Sequence, residues 1–183
     1  TSKLAILISM KYFFSIPVVS LALFLAIAGL PLRAEASEVA GWIPYWAATA
    51  GYKDAKKNFD SLDTVYLFAY TIRKNGSLLD QMKLDKSGAQ RFVRDANKAG
   101  VEVIPTIMTS DTNGIHAILS NESSREDHIE EIIDMVEEGD YAGVDIDYEG
   151  KKAETKEYFS LFLTELKEEL GSKKLSCTIE ART

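Results

Sequence analysis

The sequence predicts an α/β domain in which strands and helices alternate, on three observations. Five β-rich runs, at 38–46, 64–72, 101–109, 142–149 and 175–181, recur about 34 residues apart, a spacing that suits βα units with variable insertions. Most are followed by a segment of helical periodicity, and no strands run consecutively, which points to a parallel sheet. No Gly-x-Gly-x-x-Gly follows the first run, so a doubly wound dinucleotide fold lacks its phosphate cradle. The expectation is a (β/α)8 barrel that stops after about its fifth strand.

Taken in order, residues 1–36 are set apart. The chain opens at Thr1 and its first methionine is Met10, which reads as a start placed upstream of the natural one. From there Lys11 gives a short basic region, 13–30 is almost wholly apolar, and Ala34-Glu35-Ala36 offers small residues at the two positions a signal peptidase reads. This is a secretory signal peptide in form, cleaved after Ala36, and it predicts a secreted or cell-envelope protein. The apolar stretch is about long enough to span a bilayer, so an uncleaved anchor is the competing form. Membrane contact is expected through this segment alone. Residues 37–183 suffice for one domain core but fall short of the roughly 250 residues of a full barrel.

The first strand carries Gly41-Trp42-Ile43-Pro44-Tyr45-Trp46, in which Tyr45 or Trp46 could offer a ring for stacking or, equally, Trp42 and Trp46 could fill the core. The second and third runs, Val65-Tyr66-Leu67-Phe68-Ala69-Tyr70 and Val103-Ile104-Pro105-Thr106-Ile107-Met108-Thr109, are apolar and β-rich. A helix is predicted over 87–99, with Phe92, Val93 and Ala96 on one side and Gly100 as its stop. Ser123-Ser124-Arg125-Glu126 reads as a capping box opening a second, striped by Ile129, Ile132, Ile133 and Val136 and closed by Gly139. A third, over 153–170, aligns Tyr158, Phe159, Phe162, Leu163 and Leu166, and Gly171 releases the chain into the last strand.

The fourth run holds the chemistry. Side chains alternate along a strand, so Asp145, Asp147 and Glu149 project to one face while Val144, Ile146 and Tyr148 project to the other. Three like charges on one surface oppose one another's ionisation, which raises at least one pKa and leaves a proton to share or donate. Glu149 stands at the carboxyl end, where barrel enzymes place their catalytic groups. Two other readings stay open: a solvated acidic edge, and a carboxylate cage for Mg²⁺ or Ca²⁺. His116 and His128, twelve residues apart, do not share a helical face as a ligand pair, and each is expected to be exposed or capping. Cys177, the single cysteine, excludes an intrachain disulfide and reads as a buried, inert thiol.

Around these acids the sequence resembles glycoside hydrolase family 18, the chitinase family. Its fourth strand carries Asp-Gly-x-Asp-x-Asp-x-Glu, and Gly143, Asp145, Asp147 and Glu149 fall in register, with Ala142 in place of the leading Asp. The aromatic first strand is similar to the family's opening, and the third strand, lacking Ser-x-Gly-Gly, looks more like the bacterial branch acting on cell-wall glycans. The resemblance covers 38–183, and the family's sixth- and eighth-strand residues have no counterpart there. It implies that Glu149 protonates the glycosidic oxygen while the sugar's own 2-acetamido group attacks the anomeric carbon. Asp147 would orient that group, and Asp145 would share a proton with it. Tyr45, Trp46 and Tyr148 would line the substrate, and no cofactor is implied.

The implied substrate is a β-1,4 polymer containing N-acetylglucosamine, chitin or peptidoglycan. On this reading the 183 residues alone turn over little, the full gene product being the hydrolase; a carbohydrate-binding, lectin-like role is the second class. The formal net charge of −7 opposes nucleic acid as a partner and is indifferent to a neutral polysaccharide. Loss of residues 1–36 makes the domain more acidic, since Lys3, Lys11 and Arg33 leave with only Glu35.

Overall fold

The computed structural model describes residues 37–179, so the expected signal segment, its expected cleavage after Ala36 and residues 180–183 lie outside the described residues. One sheet is formed by β1 (Ala40–Pro44), β2 (Thr64–Ile72), β3 (Leu78–Asp80), β4 (Glu102–Thr109), β5 (Gly143–Tyr148) and β6 (Lys174–Cys177). Five strands run parallel in the order β1-β2-β4-β5-β6, and β3 lies antiparallel to β2. The parallel strands are neighbours in the order in which the chain makes them. That is the winding of a barrel; a doubly wound sheet reverses its order at a switch point.

The helices are α1 (Ala48–Lys57), α2 (Ser87–Ala99), α3 (Thr112–Ser120), α4 (Glu122–Glu138) and α5 (Lys156–Leu170). Packing sets α1 on β1, α2 on β4, α4 on β5 and α5 on β6. Alternate strand residues, Val65 and Leu67, Val103 and Ile107, Val144 and Ile146, are buried with Phe92 of α2, Ile132 of α4 and Phe162 of α5 in a single core. The other set of alternate residues forms the opposite, inner face, on which the acids lie.

The predicted 87–99 helix forms with the expected bounds, and Gly100 stops it in the left-handed region at φ 79°. The second helix starts one residue before Ser123: Asn121 is its cap, accepting from the Ser124 N–H at 2.9 Å, so the expected box is displaced by a better-placed Asn. The third is a 3-10 turn, Ala153–Thr155, running into α5.

Two further differences have a common cause. β2 and β3 are consecutive strands, a hairpin closed by Arg73 N–H to Ser77 O at 2.8 Å, with Gly76 at φ 88°. Asn75-Gly76 is the turn signal that marks it in the sequence. The hairpin takes the edge of β2 from Tyr70 onward, and Gln81 N–H occupies the Ala69 carbonyl. β1 therefore pairs only with Thr64 to Phe68 and leaves the sheet at Pro44, short of the predicted 46. Tyr45–Ala47 becomes a 3-10 turn instead.

Candidate active site

Pairing sets β5, with its acids, between β4 and β6. Gly143 pairs with Lys174, and a Cβ there would run into the Lys174 backbone, so this position needs glycine for β6 to approach. Thr106 of β4 stands opposite Asp145, and Met108 opposite Asp147. Asp145 is 1 % exposed and accepts from Ser176 Oγ at 2.7 Å and Thr178 Oγ1 at 3.5 Å. A buried carboxyl group needs such donors, since a polar group taken out of water without a hydrogen bond is costly. Thr106 is buried beside it, its hydroxyl without a hydrogen-bond partner.

Asp147 is half-buried one step up the strand, and Glu149 is exposed just past its end. The acids thus pass from interior to solvent along the strand. The backbone at Glu149 is held: its N–H donates to Thr109 O at 2.9 Å. Lys151 Nζ donates to the Tyr148 carbonyl and lies 4.6 Å above the Phe159 ring. The Gly150 carbonyl accepts from Thr112 Oγ1 at 2.9 Å, pinning the loop to α3.

Tyr45 and Trp46 are displayed at the carboxyl end of β1, 37 % and 70 % exposed, in edge-to-face contact at 4.9 Å. Trp42, 55 % exposed, stacks on Tyr66 at 4.4 Å, and Phe68 flanks both Tyr45 and Trp46. Among the described residues neither Trp42 nor Trp46 is packed in the core. Tyr66 and Phe68 escaped the sequence reading, although they alternate along the second run; only the parallel register shows that they sit beside Trp42.

The expected substrate contact of Tyr148 does not survive. It is 1 % exposed on the face opposite the acids, stacked on Phe162 at 5.7 Å, with its hydroxyl 2.6 Å from His128 Nε2. Burial pushes its phenol far above the ordinary value. His128 likewise is neither exposed nor a cap: its Nδ1 meets the Gly76 carbonyl at 2.6 Å, and burial brings its pKa down to about 4. His116 is half-buried, 2.9 Å from Thr155 Oγ1. The Cys177 thiol is half-buried and raised above its ordinary pKa, chiefly by burial.

A cavity of ≈ 700 Å³ is elsewhere. It lies between α2 and α4 in the helical layer, over Tyr70 and Tyr141, with Asp80, Glu131 and Asp134 on its walls. None of Asp145, Asp147 and Glu149 lines it. Among the described residues no group of three His, Cys, Asp or Glu side chains is placed to hold a metal ion, so the carboxylate-cage reading gains no support.

The sequence profile of glycosyl hydrolases family 18 matches residues 41–182. A Bacillus subtilis protein named as a sporulation-specific glycosylase is 26 % identical over 122 residues, 66 % of this chain and 29 % of that protein. Among solved structures, a class V chitinase from Pseudomonas fluorescens superimposes with a TM-score of 0.71 at 21 % identity, over 79 % of this chain and 45 % of its own. The Bacillus cereus spore cortex-lytic enzyme SleL does so with a TM-score of 0.68 at 15 % identity, over 78 % and 35 %. At such identities the structures speak for the fold alone. The chain spans less than a third of that curated relative and under half of each of these two structures.

Proposed function

Since the chain belongs to glycosyl hydrolases family 18, with the parallel α/β sheet of part of a TIM barrel, we propose that the protein hydrolyses β-1,4 bonds in N-acetylglucosamine polymers, peptidoglycan or chitin. The observation that carries this is the graded acid strand: Asp145 buried and hydrogen-bonded, Asp147 half-buried, and Glu149 exposed on a fixed backbone. In this reading Glu149 gives its proton to the glycosidic oxygen as the bond to the anomeric carbon breaks. The substrate's acetamido oxygen forms the new bond to that carbon, giving an oxazolinium ion. Asp147 orients the acetamido group and offsets its growing positive charge, while Asp145 sets the charge state of the pair. Glu149, now a carboxylate, takes a proton from the water that opens the ring, and configuration is retained.

The exposed Trp42, Tyr45 and Trp46 support a second, narrower reading of residues 37–183 alone: they bind the sugar by ring stacking without turning it over. Export is inferred from the apolar run at 13–30 and Ala34-Glu35-Ala36, and sequencing the amino terminus of the secreted protein checks cleavage after Ala36.

Glu149→Gln in the full-length protein is the test. Removal of an acid–base group lowers turnover about 10² to 10⁴-fold, with oligosaccharide binding retained and activity indifferent to chelator. Activity that survives Glu149→Gln, or that is lost to chelator and restored by Mg²⁺, refutes the hydrolase reading.

A further inference from the structure

We propose that His128 is a positioning residue for Glu149, acting through Tyr148 and tying the end of β5 to the β2–β3 hairpin; the inference rests on the hydrolase reading for its consequence, not for its geometry. The Gly76 carbonyl can only accept, so His128 Nδ1 carries the proton that it donates at 2.6 Å. Nε2 is then a bare acceptor, and Tyr148 O–H donates to it at 2.6 Å. One carbonyl on the hairpin thereby fixes the tautomer, and the tautomer fixes the direction of the tyrosine bond.

Tyr148 immediately precedes Glu149. Its ring lies against Phe162 and Phe159, its carbonyl accepts from Lys151, and the next N–H is held by Thr109. The peptide that carries Glu149 is therefore restrained from the core, the sheet and the following loop at once. A packing role alone needs none of the polar atoms: Phe at 148 and Leu at 128 would fill this layer without desolvating a hydroxyl and an imidazole. What the polar chain adds is direction, and an acid displaced by about 1 Å loses on the order of 10² in rate. Glu131, one turn along α4 from His128, accepts the Leu78 N–H at 3.0 Å and holds the same hairpin.

The test is residue-resolved hydrogen exchange on the 183-residue chain, wild type against Tyr148→Phe, His128→Leu and His128→Gln. Tyr148→Phe keeps the ring and its stacking, and so guards against loss of folding in the histidine variants. Exchange at the Glu149 and Gly76 amides is expected to speed at least tenfold in the first two variants. Val65, Leu67 and Ile104 should hold their wild-type rates, and His128→Gln, which keeps a donor and an acceptor, should restore most of the protection. Unchanged exchange at Glu149 overturns the proposal, as does a uniform rise across β2 and β4, which would mark a purely structural role. In the full-length protein the same two variants should lower kcat about tenfold at constant KM; a change confined to KM counts against it. A wild-type protein that turns over no N-acetylglucosamine polymer sinks the hydrolase reading, while the exchange rates still decide the coupling.

Discussion

Two aromatic clusters flank the sheet, and they have opposite surroundings. Trp42, Tyr45, Trp46, Tyr66 and Phe68 cluster along and just past β1 and on the adjoining part of β2, and Trp42, Tyr45 and Trp46 are exposed. Tyr148, Phe159, Phe162 and His128 lie between β5 and the helices, with Tyr148 and Phe162 wholly buried. Ring content does not distinguish them. Facing does: one cluster is packed between sheet and helices, and the other lies on the inner face away from them.

The sharpest way to break this contrast is Phe162→Ala. It should cost about 3–5 kcal/mol in denaturant unfolding, whereas Trp46→Ala should stay within about 0.5 kcal/mol. Comparable losses would mean that the first cluster is structural after all.

Next comes acid. The folded pKa of His128, about 4, is depressed below its ordinary 6.5. The unfolded chain therefore takes up a proton first as pH falls. Stability should drop between pH 6.5 and 4 by about 3 kcal/mol from this group, then level off with respect to it. His128→Gln should remove that slope, and unfolding curves across the window check it. A wild-type slope that persists in the variant would show that other groups dominate.

A smaller effect is expected in the exposed cluster. Trp46→Ala should weaken binding of N-acetylglucosamine oligosaccharides about tenfold, some 1.4 kcal/mol, as read by titration calorimetry. Smallest is Thr106→Val, which removes a buried hydroxyl that has no partner and should leave melting unchanged or raise stability by up to about 1 kcal/mol. A clear loss would assign that hydroxyl a partner.

Much of the contrast was legible in the sequence. Alternation placed Asp145, Asp147 and Glu149 opposite Val144, Ile146 and Tyr148, and the strand runs lie within a few residues of their positions in the sheet. Tyr148 as a substrate contact contradicted that same alternation, and the structure resolves the conflict in favour of the pattern. The hairpin was missed because three-residue β3 is too short to show a period, although Asn75-Gly76 signalled the turn. α1 escaped because Ala55 is its only buried residue, so it has no stripe. The roles of His128, Ser176 and Thr178 depend on tertiary neighbours 20 to 52 residues away, which no local window contains.

That last dependence has a consequence for the making of the protein. Asp145 takes its nearer hydroxyl from a residue 31 positions later in the chain. A ribosome therefore delivers the acid strand well before the donor that stabilises its buried carboxylate. Through that interval β5 can pair with β4 only by sealing in a carboxyl group that has no hydroxyl to answer it, or else by waiting in water. Arrival of β6 ends the conflict, so β6 is the latch that commits β5 to the nascent sheet.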